Sequence, residues 1–188
     1  IIKPALFKTK QLFNIHFSLL PSYKGMFTSA LPILHNKKIT GVTLHEIDSG
    51  IDTGNIISQK EIEINKDDTA RTLYFKYILY GTNLIKESLN TILDNSYTSK
   101  TQGITNSSYY GKNTIDYSNL KINYNQTAYQ ISNELRAFTF REFQLPYYND
   151  NQIYSWKILP NKSKLKPNSI VKQEENSVTI STIDYDIK

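Results

Sequence analysis

Residues 12–17, Leu-Phe-Asn-Ile-His-Phe, constrain this chain more than any other segment. Aromatic and β-branched side chains favour an extended backbone. A period of two then sends Asn14 and His16 to one face, and Phe13, Ile15 and Phe17 to the other. Such a strand needs an apolar layer on one side of its sheet and leaves two polar groups together on the opposite side. The 188 residues, 39% of them apolar, suffice for one compact domain with a small appendage. With no cysteine, disulfides, thiolate metal sites and thiol catalysis are excluded, which fits a cytoplasmic protein. Apolar runs break well short of the ~20 residues that span a bilayer, so no membrane association is expected. The net charge of +5 comes from lysines scattered along the chain, the pattern of a solvated surface rather than of a nucleic-acid stripe.

Further along, residues 29–35 read as a short helix, and residues 41–47 and 55–64 as strands. Asp67-Asp68-Thr69 offers side-chain oxygens and negative charge to a helix start, and Leu73, Tyr77, Leu84, Leu89 and Leu93 continue at helical spacing, with Gly81 as a weak point. Residues 98–108 are polar and turn-like, which sets an expected domain edge between 1–106 and 107–188. Ala128, Ile131, Leu135 and Phe138 predict a second helix over 127–138, and residues 153–159, 169–173 and 177–183 predict short strands. The expected class is therefore α/β, with a small β-rich C-terminal unit.

Between the second and third strands lies Asp48-Ser49-Gly50-Ile51-Asp52-Thr53-Gly54. An amide and an imidazole side by side at a strand end, with a carboxylate delivered by a glycine-bearing loop, suit acyl transfer to an amine. Asn14 and a protonated His16 are donors for an oxyanion, and a His16–Asp52 pair can take the proton that the amine must lose. The same loop read as a calcium site lacks an acidic ligand at EF-hand spacing, and His35 and His45 form no metal pair with His16, so no metal is expected. His45 reads as an ordinary strand residue.

Asn14-x-His16-x-Ser18-Leu19-Leu20-Pro21, followed by Asp48-x-Gly50-x-Asp52-Thr53-Gly54, resembles the folate-dependent formyltransferases. That resemblance implies catalytic roles for Asn14, His16 and Asp52. It implies N10-formyltetrahydrofolate as co-substrate, held near Leu20, Asp48, Gly50 and Ile51. It also implies the C-terminal part of a Rossmann-like formyltransferase domain, without the family's first βαβ half, so a fragment of a longer protein is expected. Residues 22–28 and 136–148 look more like the enzymes that formylate nucleotide-linked amino sugars for surface polysaccharide, with Ser18, Lys24, Arg141 and Tyr147 as substrate candidates and homodimerisation as an expectation. Methionyl-tRNA formyltransferase, with nucleic acid as partner, is the second reading, and a truncated non-catalytic binding module the third.

Overall fold

The structure, a computed structural model, describes residues 4–9 and 11–188. The chain divides into two compact units, Ile1–Ile115 and Asp116–Lys188.

In the first unit, strand β1 (Phe13–His16) is followed by the short β2 (Lys24–Gly25), the one-turn helix α1 (Leu31–Leu34), β3 (Ile39–Glu46), β4 (Ile56–Glu63), helix α2 (Ala70–Leu93) and β5 (Tyr109–Tyr110). Strands β1, β3 and β4 form an antiparallel sheet in that order, and β3, its middle strand, is buried from Thr40 to His45. On β1 the alternation falls as the sequence predicts. Phe17, just past its end, stacks on Tyr77 of α2 with ring centroids 5.2 Å apart. Asn14 and His16 stand opposite His45 and Thr43 in the antiparallel register, which puts all four on one face.

Helix α2 starts at Thr69 because a capping box closes it: the Thr69 hydroxyl accepts from the Thr72 amide, and the Thr72 hydroxyl accepts from the Thr69 amide. Its buried stripe of Leu73, Tyr77, Gly81, Leu84 and Ser88 packs on β3 and β4. Full burial of a side chain such as Leu73 contributes about 1.5–3 kcal/mol. Gly81 lets helix and sheet approach closely, since a Cβ there would lie 2.9 Å from Ile15 Cγ2.

Residues 107–115 belong to the first unit, so the division falls after 115 rather than after 106. The reason is the parallel pairing of β5 with β2, Lys24 opposite Tyr109 and Gly25 opposite Tyr110.

The second unit holds helix α3 (Ala128–Phe138), a hairpin of β6 (Tyr147–Tyr148) and β7 (Asn151–Gln152), and strands β8 (Ile158–Lys162), β9 (Ile170–Glu174), β10 (Ser177–Ile180) and β11 (Tyr185–Ile187). The last four form an antiparallel sheet in the order β8-β11-β10-β9. Ile122, Ile131, Leu135, Ile180 and Ile187 make its core. The strand expected over 153–159 is displaced: Ile153 packs on the core, Trp156 Nε1 donates to Ser132 Oγ at 3.0 Å, Lys157 exchanges backbone hydrogen bonds with Lys188, and β8 itself runs from Ile158. The strand expected to reach 183 stops at Ile180; the Ser181 backbone still bonds to Asn168 and Ser169, and the Thr182 hydroxyl donates to the Tyr185 carbonyl in the turn that follows. Strand β11, which the sequence did not predict, follows that turn.

Candidate active site

The polar face of β1 becomes a site when the loop after β3 folds back over it. Gly54 is buried against the end of β3, where a Cβ would lie 1.9 Å from the Glu46 carbonyl oxygen, so only glycine lets the loop close there. Asp48 pins the front of the loop, its Oδ1 accepting from the Gly50 amide at 3.0 Å and the Thr53 hydroxyl at 2.6 Å. Asp52 takes a left-handed backbone, φ 54°, an uncommon conformation for a residue with a side chain. Its Oδ2 lies 3.4 Å from His16 Nδ1 and accepts from the Gly25 amide at 2.8 Å, and its Oδ1 lies 3.7 Å from His45 Nε2.

The hydrogen bonds assign the protons. His16 Nε2 is 2.8 Å from the Tyr23 carbonyl oxygen, which can only accept, so Nε2 carries a hydrogen. A proton enters and leaves His16 on Nδ1, the nitrogen facing Asp52. His45 Nδ1 is 2.6 Å from the Glu46 carbonyl and carries a hydrogen by the same reasoning. Burial pushes the His45 imidazole below the ordinary histidine range, against the opposing pull of the Glu46 carbonyl and the Asp52 carboxylate. Neutral His45 therefore accepts at Nε2, and the donor 3.2 Å away is the Asn14 amide nitrogen. That bond uses one of the two Asn14 N–H groups and leaves the second for the cleft.

This cleft of about 160 Å³ is lined by Asn14, His45, Asp48, Gly50, Ile51 and Asp52, with Ile47 at its edge. Asn14, His16 and Asp52 are thus brought together, as are the candidates Asp48, Gly50 and Ile51. Leu20 is buried, its amide donating to Thr43 Oγ1 at 3.1 Å, and Ser18 is fully buried, its hydroxyl donating to the Ser22 carbonyl at 2.6 Å. Both shape the turn that carries the Tyr23 carbonyl to His16. Lys24 Nζ donates to Ser107 Oγ at 3.2 Å. Arg141 and Tyr147 lie in the second unit and line a cavity there of about 920 Å³. Two residues that sequence reading passed over belong to the site: His45, and Gln102, whose amide nitrogen donates to the carbonyls of Asp52 and Gly54. Among the described residues no group of three or more His, Cys, Asp or Glu is placed to hold a metal ion.

A sheet that presents Asn14 and His16 against the loop carboxylate of Asp52 is an arrangement that can serve acyl transfer, and comparison with known proteins gives its family. Residues 1–88 match the family model of formyl transferase, and residues 114–188 match that of the formyl transferase C-terminal domain. The chain belongs to the formyl transferase family. Among solved structures it is similar to WlaRD, a sugar 3N-formyl transferase crystallised in the presence of dTDP and 5-N-formyl-THF. The two are 46% identical with a TM-score of 0.87, over all of this chain and 67% of that one. It is also similar to the N-formyltransferase from Helicobacter canadensis, solved in complex with folinic acid and dTDP-3-aminofucose, at 44% identity and TM-score 0.86, over all of this chain and 68% of that one. The methionyl-tRNA formyltransferase of Alkaliphilus metalliredigens is 31% identical over 90% of this chain and 54% of its own length. The chain spans about half the length of the curated relatives it matches.

Proposed function

We propose that this chain carries the transfer centre of an enzyme that moves a formyl group from N10-formyltetrahydrofolate to the amine of a nucleotide-linked amino sugar. The observation that carries the reading is the convergence of Asn14 and Asp52 on one cleft, with His16 Nδ1 3.4 Å from the Asp52 carboxylate and the protons assigned as above. The amine nitrogen attacks the formyl carbon, the new C–N bond forms as the carbonyl pair moves onto oxygen, and the second N–H of Asn14 meets that oxyanion. Both ring nitrogens of His16 are engaged, so His16 acts through proton and charge rather than as a direct donor to the oxyanion. Asp52, at the cleft, receives the proton from the attacking nitrogen and shares it with His16 Nδ1. Collapse of the intermediate breaks the bond to N10, which takes up a proton.

The folate contacts are read at Asp48, Gly50, Ile51 and Leu20, the last through the turn it shapes. Substrate contacts are read at Lys24 in the first unit, in the segment whose turn Ser18 supports, and separately at Arg141 and Tyr147 in the second unit. The amino-sugar choice is supported by the 46% and 44% identities to two sugar enzymes over the whole chain, against 27–40% to curated tRNA enzymes, the 40% over 66% of this chain. A cytoplasmic place, a role in surface polysaccharide and a homodimer complete the reading, the last checked by sedimentation. Among the described residues no helix is long and apolar enough to cross a membrane.

The test is formyl transfer by the protein carrying this chain, with N10-formyltetrahydrofolate and a panel of dTDP-linked 3-amino and 4-amino sugars beside charged initiator tRNA, read as the mass of one formyl group gained by the acceptor. Transfer to an amino sugar is expected. Transfer to the tRNA alone would replace this reading with the tRNA enzyme, and none to any acceptor would move it to a binding module.

A further inference from the structure

Gln102 lies in the stretch after α2 that sequence reading treats as a polar linker, yet its amide is committed. Nε2 donates to the Asp52 carbonyl at 2.9 Å and to the Gly54 carbonyl at 2.8 Å, and Oε1 is buried with no hydrogen-bond partner. The orientation is fixed, because the reversed amide would set Oε1 against two carbonyl oxygens. A buried, unsatisfied carbonyl oxygen is a cost that folds ordinarily avoid. Here it accompanies two donors spent on the backbone either side of Thr53.

That backbone is the part of the loop most in need of restraint. Asp52 sits at φ 54°, a conformation that a non-glycine residue keeps only where its surroundings over-determine it. The chain around Gln102 is stitched to the same place: Lys100 and Ile56 exchange both backbone hydrogen bonds at 2.8 Å, and the Ser99 hydroxyl donates to Glu46 Oε1 at 2.9 Å. A slip of the loop would lengthen the 3.4 Å separation of Asp52 Oδ2 from His16 Nδ1, which already lies at the long end for a charged pair.

We propose that Gln102 is a positioning residue for Asp52: its two N–H groups clamp the Asp52–Gly54 backbone and so set the distance between the Asp52 carboxylate and His16 Nδ1. Gln102 touches no reacting atom and acts through Asp52 alone.

The chain contains three histidines, His16, His35 and His45, so ring-nitrogen NMR at one fixed pH can follow each one. Spectra are recorded for the unaltered protein, Asp52→Asn, Gln102→Ala and Gln102→Met, the last keeping length and apolar bulk while removing both donors. In both Gln102 variants the His16 Nδ1 shift is expected to move toward its value in Asp52→Asn, with the His35 shifts unmoved as a check on the fold. A His16 Nδ1 shift in Gln102→Met equal to that of the unaltered protein would overturn the proposal. So would Asp52→Asn leaving His16 unmoved, or loss of the far-UV helix signal in both Gln102 variants, which would make Gln102 a general support of the fold. A kinetic arm rests on the formyl-transfer reading: kcat is expected to fall about tenfold in Gln102→Met with KM for the amine nearly unchanged. Absence of transfer in the unaltered protein would strike that reading and leave the NMR result standing.

Discussion

Asp52 holds the one position in the site where a carboxylate meets the cleft, a histidine nitrogen and a backbone amide at once. Replacement by Asn keeps the shape and removes the charge that draws a proton from the amine. Asp52→Asn should lower kcat by about 10²–10⁴-fold while leaving the far-UV spectrum unchanged, and undiminished formyl transfer would exclude the proton role. His45 makes a different prediction. Its folded pKa is depressed by burial, so as pH falls below about 6.5 the unfolded chain takes up the proton first, and stability present above that pH is lost on the way down to the folded pKa. His35 is depressed in the same direction, by burial and by Lys37, and adds to the same loss. In His45→Gln, whose amide oxygen can still accept from Asn14, the gap between urea midpoints at about pH 7.5 and about pH 5.5 should narrow without vanishing; an unchanged gap would place His45 outside the linkage. Asn14 and His16 were legible because period two shows within six residues. His45 was not, because its place beside Asn14 depends on the register of β1 against β3, which no local pattern encodes. A signal existed: Thr43 and His45 stand at the same period of two, alternating with Val42 and Leu44.

At the scale of elements, α2 and its contact with β1 give the sharpest test. Glycine inside a helix costs about 0.5–1 kcal/mol relative to alanine, so propensity alone predicts that Gly81→Ala stabilises. The structure predicts the opposite sign. A Cβ at 81 would lie 2.9 Å from Ile15 Cγ2 and 3.7 Å from Phe17 Cε1, and Ile15 is a branched side chain next to both site residues of β1. Overpacking of this kind costs about 1–3 kcal/mol, so Gly81→Ala should lower the urea midpoint, and a raised midpoint would show that the helix gives way freely. Helix α2 was legible through the start signal at Asp67-Asp68-Thr69 and α3 through its apolar stripe, and in the structure Thr69 and Thr127 each close a capping box. The C-terminal strands were less so. Where the chain from 153 joins the sheet depends on partners far along it, Trp156 on Ser132 and Lys157 on Lys188, and Ile187 of β11 joins a core with Ile131 and Leu135. Those are tertiary facts, and three-residue strands carry too little periodicity to announce them.

At the scale of the whole molecule, each unit has its own core. The cluster of Ile122, Ile131, Leu135, Ile180 and Ile187 draws only on residues of the second unit, and the stripe of Leu73, Tyr77 and Leu84 packs on the sheet of the first. The chain's single tryptophan, Trp156, is half-buried against the second core, so its fluorescence reports that unit. Far-UV ellipticity is weighted instead toward the 24 residues of α2 in the first. Leu135 is 2% exposed, and truncating such a residue to alanine costs about 2–5 kcal/mol through lost transfer energy and a residual cavity. Leu135→Ala should therefore pull the fluorescence transition in urea to lower concentration and away from the ellipticity transition, so that one cooperative curve no longer fits both probes. Transitions that stay coincident while moving together would mean that the two cores fold as a single cooperative block. In that case the lesion in the β-rich unit would also lower the ellipticity midpoint that reports α2; with separate cores that midpoint stays where it is in the unaltered protein.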